Sequence, residues 1–291
     1  MTKKMSKQKN KRALKARVKG LKTRRPVRVG RTNLDAMALN HMKQLSDPCN
    51  GPLSHPVYDG FARGNLVRLR GTFQVGTGAG ETCGFFLWDP QGNFVYNNGS
   101  VNATTTYTAS AVRGPHDAYI TSNFDTFRVV SACITVIPNA SEYTRQGLIY
   151  AGTVGGGLVN EGASLTIGGL TSLMPSVERS PNGGLEVVWL PSFGDSQFVP
   201  RAGSAAPTAF AEGSSALAVG FTGATAASGY TVICTATYEF IQPASSGVIQ
   251  QPSVPSKNTI NDVIREFWRK HGSTVKRVGV EALSLAVNAL G

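Results

Sequence analysis

From residue 65 the apolar side chains change to a recurrence at every second position, a spacing that commits the chain to sheet. In NLVRLRGTFQVG (65–76), Val67, Leu69, Phe73 and Val75 share one face. Arg68, Arg70, Thr72 and Gln74 share the other, with a bend at Gly71. TCGFFLW (82–88) and NFVY (93–96) flank DPQG (89–92), a turn sequence, and predict a hairpin. AYITS (118–122), RVVSACITVIPN (128–139), QGLIYAGTV (146–154), ASLTIGGL (163–170), LEVVWLP (185–191), ALAVGFTG (216–223) and GYTVICTATYEFIQP (229–243) supply further strands. The 128–139 strand is apolar on both faces, as inside a sandwich. In the last strand Tyr230, Val232, Cys234, Ala236, Tyr238 and Phe240 share a face, with Thr231, Thr235, Thr237 and Glu239 mostly opposite. The 33 glycines suit many tight turns, and no repeat period suggests a propeller or solenoid. The prediction is one all-β sandwich or barrel, long enough to bury a core without staples.

Different patterns flank this region. Residues 32–47 predict a short helix: Thr32 and Asp35 form a T-x-x-D cap, Leu34, Met37, Ala38, Met42 and Leu45 recur at helical spacing, and Pro48 blocks extension. His41 lies near that stripe and reads as a packed side chain. DPCNGPLSHPVYDG (47–60) is a turn-rich connector. Residues 244–257 form a Pro/Ser linker. From 258 the chain turns helical again, capped by Asn258 or Thr259 with Asp262 in the first turn. Ile260, Val263, Ile264, Phe267 and Trp268 make an apolar stripe, while Arg265, Arg269, Lys270, Lys276 and Arg277 carry charge. Gly272 is expected to break or kink this helix, with a second amphipathic piece from Thr274 to Leu290. Such a helix can dock under the β domain or lie on a membrane or RNA, and these readings are not exclusive.

The charge is segregated. The whole chain carries 29 basic and 17 acidic side chains, for +12. Fourteen of the cations fall between Thr2 and Arg31: Lys3, Lys4, Lys7, Lys9, Lys11, Arg12, Lys15, Arg17, Lys19, Lys22, Arg24, Arg25, Arg28 and Arg31. The remainder, 15 basic against 17 acidic, is nearly neutral. The arm has too little apolar surface to offset chain entropy and is expected to be disordered alone. Beside a polyanion each neutralised phosphate releases counterions. Fourteen contacts to a single strand would give a log K against log[salt] slope of roughly −10. The arm has no aromatic residue, so its mode is phosphate contact rather than base stacking.

No catalytic constellation emerges. The four cysteines (49, 83, 133, 234) stand singly, and no C-x-x-C indicates zinc. Cys133 and Cys234 lie in apolar strand patterns and are expected as buried thiols, not as part of a disulfide framework. No H-E-x-x-H, G-x-S-x-G or P-loop pattern occurs. Asp47, Asp59, Asp89, Asp117, Asp125 and Asp195 sit in or near turns. Loop carboxylates meeting at a subunit interface would suit structural Ca²⁺, an arrangement the sequence leaves open. The chain reads as a non-enzyme with no cofactor.

The order of segments then acquires a meaning. LSDPCNGPLSHPVYDG (45–60), FRVVSACITVIPNASEYTRQGLIYAG (127–152), VWLPSFGDSQFVP (188–200) and YTVICTATYEFIQP (230–243) resemble, in order and spacing, the connector and strands of coat proteins of small icosahedral positive-strand RNA viruses, of the noda-like and tombus-like kind. The resemblance implies a viral jelly-roll shell domain over 65–243, preceded by a polybasic RNA-binding arm (1–31) and a helix with connector (32–64), and followed by a linker (244–257) and a basic amphipathic segment (258–291). It implies self-assembly into an icosahedral homo-oligomer around viral single-stranded RNA, in the virion and, during assembly, the host cytoplasm. Ile264, Phe267, Trp268, Arg265, Arg269 and Lys270 become candidates for transient membrane or RNA contact. Two departures stand out. The residues after Pro243 read as linker and helix, not as the projecting β domain of tombus-like coats. Asn102-Ala103, Asn139-Ala140 and Asn288-Ala289 are not placed to release the C-terminal helix, so noda-like self-cleavage is not expected. A cellular RNA-binding protein with a basic tail is the other reading. Against it, the body has no clustered basic face in sequence.

Overall fold

The computed structural model describes residues 34–58, 64–76, 81–100, 104, 106–108, 112–139, 147–155, 164–174, 176–179, 185–189, 191, 196–201, 215–224, 229–243 and 256–275. The elements are α1 (Ala36–Ser46), β1 (Asn65–Gly76), β2 (Cys83–Asp89), β3 (Phe94–Ser100), β4 (Thr106–Thr108), β5 (Val112–Arg113), α2 (Asp117–Asn123), β6 (Thr126–Pro138), β7 (Leu148–Gly155), β8 (Ser164–Thr166), α3 (Ile167–Ser172), β9 (Ser176–Arg179), β10 (Leu185–Trp189), β11 (Val199–Pro200), β12 (Ser215–Thr222), β13 (Gly229–Ile241) and α4 (Ile260–Val275).

Two antiparallel sheets face each other. The first has the order β1-β13-β6-β10, with β11 also on β6; the second runs β5-β3-β2-β12-β7-β9. Short or hairpin strands aside, eight principal strands remain: β1, β2, β6, β7, β9, β10, β12 and β13. The first sheet orders them first, eighth, third, sixth, and the second sheet second, seventh, fourth, fifth. That crossover pattern is a jelly roll, in which strands of two Greek keys alternate between layers. The predicted alternation explains the layers. Val75, Phe86, Trp88, Phe127, Val129, Ile134, Val219, Phe221, Val232, Tyr238 and Phe240 fill the inter-sheet core. In β1, Val67, Leu69 and Phe73 pack on its rim. β6 is central, between β13 and β10, which accounts for its two apolar faces.

Two smaller clusters lie outside the sheets. α3 covers the far face of the second sheet, where Phe85, Leu87, Tyr96, Ile167 and Leu170 are buried together. Hence β2 is buried at every position. α1 and α4 form the other cluster, with Ala38, Met42, Leu45, Val57, Val263 and Phe267 at its centre.

Several expectations need correction. Residues 118–122 are helical, within α2. Ser122 Oγ and Asn123 Nδ2 donate to carbonyls four residues back, and only Ile120 is buried, so a short apolar run was compatible with either state. ASLTIGGL splits: 164–166 is strand, then the Thr166 hydroxyl accepts from Gly169 N–H and starts α3. Asp35 is itself the N-cap of α1, its carboxylate accepting from Ala38 N–H at 2.8 Å, rather than the fourth residue of a Thr32 box; Thr32 lies outside the described residues. α4 continues through Gly272 to Val275, since one interior glycine costs a helix only about 1 kcal/mol. The hairpin and its turn form as predicted, with Asn93 at φ 53° and Asp89 accepting from Gln91 N–H.

Candidate assembly and nucleic-acid site

The first sheet turns a polar face outward, and a strap formed by α1 and residues 47–58 lies across it. Gln44 connects the layers, donating to Ser131 Oγ at 3.1 Å while accepting from Ser54 N–H at 3.0 Å. Tyr58 Oη donates to the Val129 carbonyl, and Val57 N–H donates to His41 Nδ1. His41 is fully buried against the Tyr58 ring, and burial depresses its pKa to about 4, so it packs as a neutral imidazole. Arg68, on the polar face of β1, donates to the Gly51 carbonyl at 2.7 Å and to Thr237 Oγ1 at 3.3 Å. Arg70, its exposed neighbour on that face, donates to Thr235 Oγ1.

A charged node anchors the strap's far end. Glu239 of β13 and Arg128 of β6 are cross-strand partners, and their side chains meet at 2.7 Å with almost no solvent exposure. His55 Nδ1 lies 3.1 Å from Glu239 Oε1, and Gly64 N–H donates to the same oxygen at 3.0 Å. Arg128 also donates to the Ser196 carbonyl and lies over the Tyr58 and Phe198 rings. Burial pushes the Glu239 pKa up, but His55, Arg128 and the Gly64 amide outweigh it and hold it below the usual range. Gly64 has to be glycine: a Cβ there would meet the Phe240 carbonyl oxygen at 2.2 Å. The sequence showed Glu239 only as a polar-face residue, and Arg128 only as the start of a strand. A cation and an anion embedded in otherwise apolar strands were the available signal.

Cys49 and Cys133 correct a further expectation. They form a disulfide that joins the strap to β6, with Cα atoms 5.9 Å apart and a sequence separation of 84. Two sulfurs so far apart in sequence show no motif. Cys234 is a buried thiol as expected. Among the described residues, one group could converge on a metal ion: the two sulfurs and the Glu186 carboxylate, all within 4.8 Å of one another.

Both ends of the described chain meet at α1. The Asp35 carboxylate accepts from Ala38 N–H, from Ser256 Oγ at 2.7 Å and from Lys257 N–H at 2.9 Å. Asp35 N–H donates to Asn258 Oδ1 at 2.8 Å. Thr259 and Asp262 make the capping box that starts α4. Val263 and Phe267 are buried against α1. Ile264 and Trp268 are half-buried on the helix flank, and Arg265, Arg269 and Lys270 are exposed. Arg269 forms a bidentate pair with Glu266, and Lys270 lies 3.7 Å from the same carboxylate. The fourteen arm cations lie outside the described residues.

The fold is thus a jelly-roll β-sandwich. No family model matches the sequence, and no curated protein matches it. Solved structures do. The structure of infectious bursal disease virus, Gt strain, superposes with a TM-score of 0.52 at 12% identity, over 82% of this chain and 96% of that one. The VP2 subviral particle of the same virus gives 0.53 at 11% identity, over 81% and 94%. A semi-empty particle of the giant freshwater prawn Macrobrachium rosenbergii nodavirus gives 0.39 at 9% identity, over 62% and 93%, too distant to place the chain among noda-like coats.

Proposed function

We propose that the chain is the structural subunit of an icosahedral virus shell, and that residues 2–31 package single-stranded viral RNA. The observation that carries the shell reading is the strand order of the two sheets, together with its match over four-fifths of the chain to particle-forming capsid proteins. The β-sandwich supplies lateral surfaces, and symmetry-related contacts between copies close the shell. The arm's charge, segregated from a near-neutral body, supports the RNA reading: phosphate neutralisation couples assembly to the polyanion by mass action. Packaging is then weakly sequence-specific. The function is structural rather than catalytic, performed in the virion. A membrane role for α4 would require Phe267 to leave its seat on α1.

Negative-stain electron microscopy of the purified protein, with absorbance at 260 and 280 nm, tests both parts. Closed shells with excess 260 nm absorbance are expected, and deletion of residues 2–31 should give shells without RNA. Shells of the deletion variant with full RNA content would remove the arm from packaging. A monomer that stays soluble with added RNA would turn the assignment to a cellular RNA-binding protein.

A further inference from the structure

We propose that Cys49, Cys133 and Glu186 form a zinc site in the reduced protein, occupied in alternation with the disulfide. The three donors come from three places: the strap, the central strand β6 and the edge strand β10. Glu186 sits beside Thr135 in the β10–β6 register, and Cys133 beside Val188, so both side chains project from neighbouring strands toward the strap. Their donor atoms and Cys49 Sγ lie within 4.8 Å of one another. Tetrahedral zinc, with Zn–S of about 2.3 Å and Zn–O of about 2.0–2.2 Å, draws such donors to a separation of roughly 3.3–3.8 Å. Small side-chain rotations meet that requirement once the S–S bond is open, and water would fill the fourth position.

The anionic character of the cluster points the same way. Glu186 is exposed on the edge strand and makes no hydrogen bond or ion pair among the described residues, so its carboxylate is free to serve as a ligand. Two thiolates added to that carboxylate would repel one another without a cation. The sulfurs are buried while Glu186 is exposed, which gives an ion a side of entry. Thiols are kept reduced in a cytosol, where an unassembled coat subunit would encounter glutathione-type thiols. The exchange balances: the disulfide and two thiols give one external disulfide, two protein thiolates and two protons, and Zn²⁺ binds the thiolates. In either state residue 49 stays pinned to β6, so the strap keeps its place through a change of redox compartment. The change of redox compartment rests on the proposed coat function, whereas metal binding by the reduced protein is tested independently of it.

The test uses full-length protein, reduced with a phosphine, freed of reductant under anaerobic conditions and checked for four titratable thiols. Co²⁺ is the probe. A saturable thiolate-to-cobalt charge-transfer band at one equivalent, displaced by Zn²⁺, is expected. Cys49→Ser should abolish it, and Glu186→Gln should weaken Co²⁺ binding about tenfold or more. No band in the fully reduced protein, or a band that survives Cys49→Ser, would overturn the proposal. Glu186→Gln keeps both sulfurs and covers the case in which Cys49→Ser does not fold; unchanged affinity in that variant overturns it too.

Discussion

Arg128 and Glu239 face each other across adjacent central strands at 2.7 Å, and neither is more than 4% exposed. A pair so deeply buried is a poor source of net stability, because desolvation offsets its attraction. Its arrangement does fix geometry. Glu239 reaches the strap through His55 and the residue that leads into β1 through Gly64, and Arg128 reaches Ser196. Breaking the pair leaves an uncompensated charge. Arg128→Met is expected to cost about 3–5 kcal/mol in urea unfolding. Adding Glu239→Gln should return part of that loss, since Gln can still accept from Gly64, giving a coupling energy of roughly 1–3 kcal/mol in a double-mutant cycle. Strict additivity would show that the two residues do not act together.

Acid should weaken the fold in two stages. His41 and His116 are buried and neutral, each held to a pKa of about 4, His41 by burial and the charge of Arg128, His116 by burial. Their unfolded pKa is near 6.5, so the unfolded chain takes up protons first, and stability falls as pH drops from about 6.5 toward 4. Each histidine then accounts for at most about 3 kcal/mol. Glu239 acts lower: its depressed pKa contributes stability above about pH 4.5 that is lost as pH falls through its still lower folded value. Urea midpoints between pH 7.5 and 3.5 should trace both stages, and His116→Gln should flatten the first. A midpoint constant from pH 7 to 5 would contradict it.

The alternation of β1 and β13 was legible because both strands bury one face against the inter-sheet core. The pairing of β1 with β13, some 165 residues apart, was not, since register between distant strands is set by tertiary packing. The same limit hid the site. Thr237 and Glu239 read only as residues opposite the apolar face, because nothing in sequence says that residues 36–58 fold back over them. The arm was legible for the opposite reason: its charge is local. AYITS failed because five residues with one buried side chain carry no period.

Gly64→Ala tests how closely the residue before β1 approaches β13. The new Cβ would collide with the backbone of Phe240, which has no side-chain freedom to yield, so the chain must shift and the Gly64 amide withdraw from Glu239. A loss of about 1–3 kcal/mol is expected, in the range of an unsatisfied buried acceptor. A melt unchanged from the parent protein would show that residue 64 relaxes without breaking this contact.

Asp35 is where α4 can be released without touching its apolar face. Asp35→Ala removes the N-cap of α1, worth about 1 kcal/mol, and with it the acceptors for Ser256 and Lys257. Phe267→Ala instead removes the anchor that α4 buries on α1. In hydrogen exchange, Asp35→Ala should lower protection at the N-terminal turns of both helices together, because one carboxylate serves both. Phe267→Ala should deprotect α4 along its length while leaving the first turn of α1 as it was. If Asp35→Ala affects α1 alone, α4 is held by its apolar contacts and the carboxylate is only a cap. A liposome dye-release assay then becomes informative: release that rises with Phe267→Ala in the full chain, and falls again when Trp268→Asp is added, would connect undocking of α4 to membrane contact. No release from either variant would confine α4 to its place on α1.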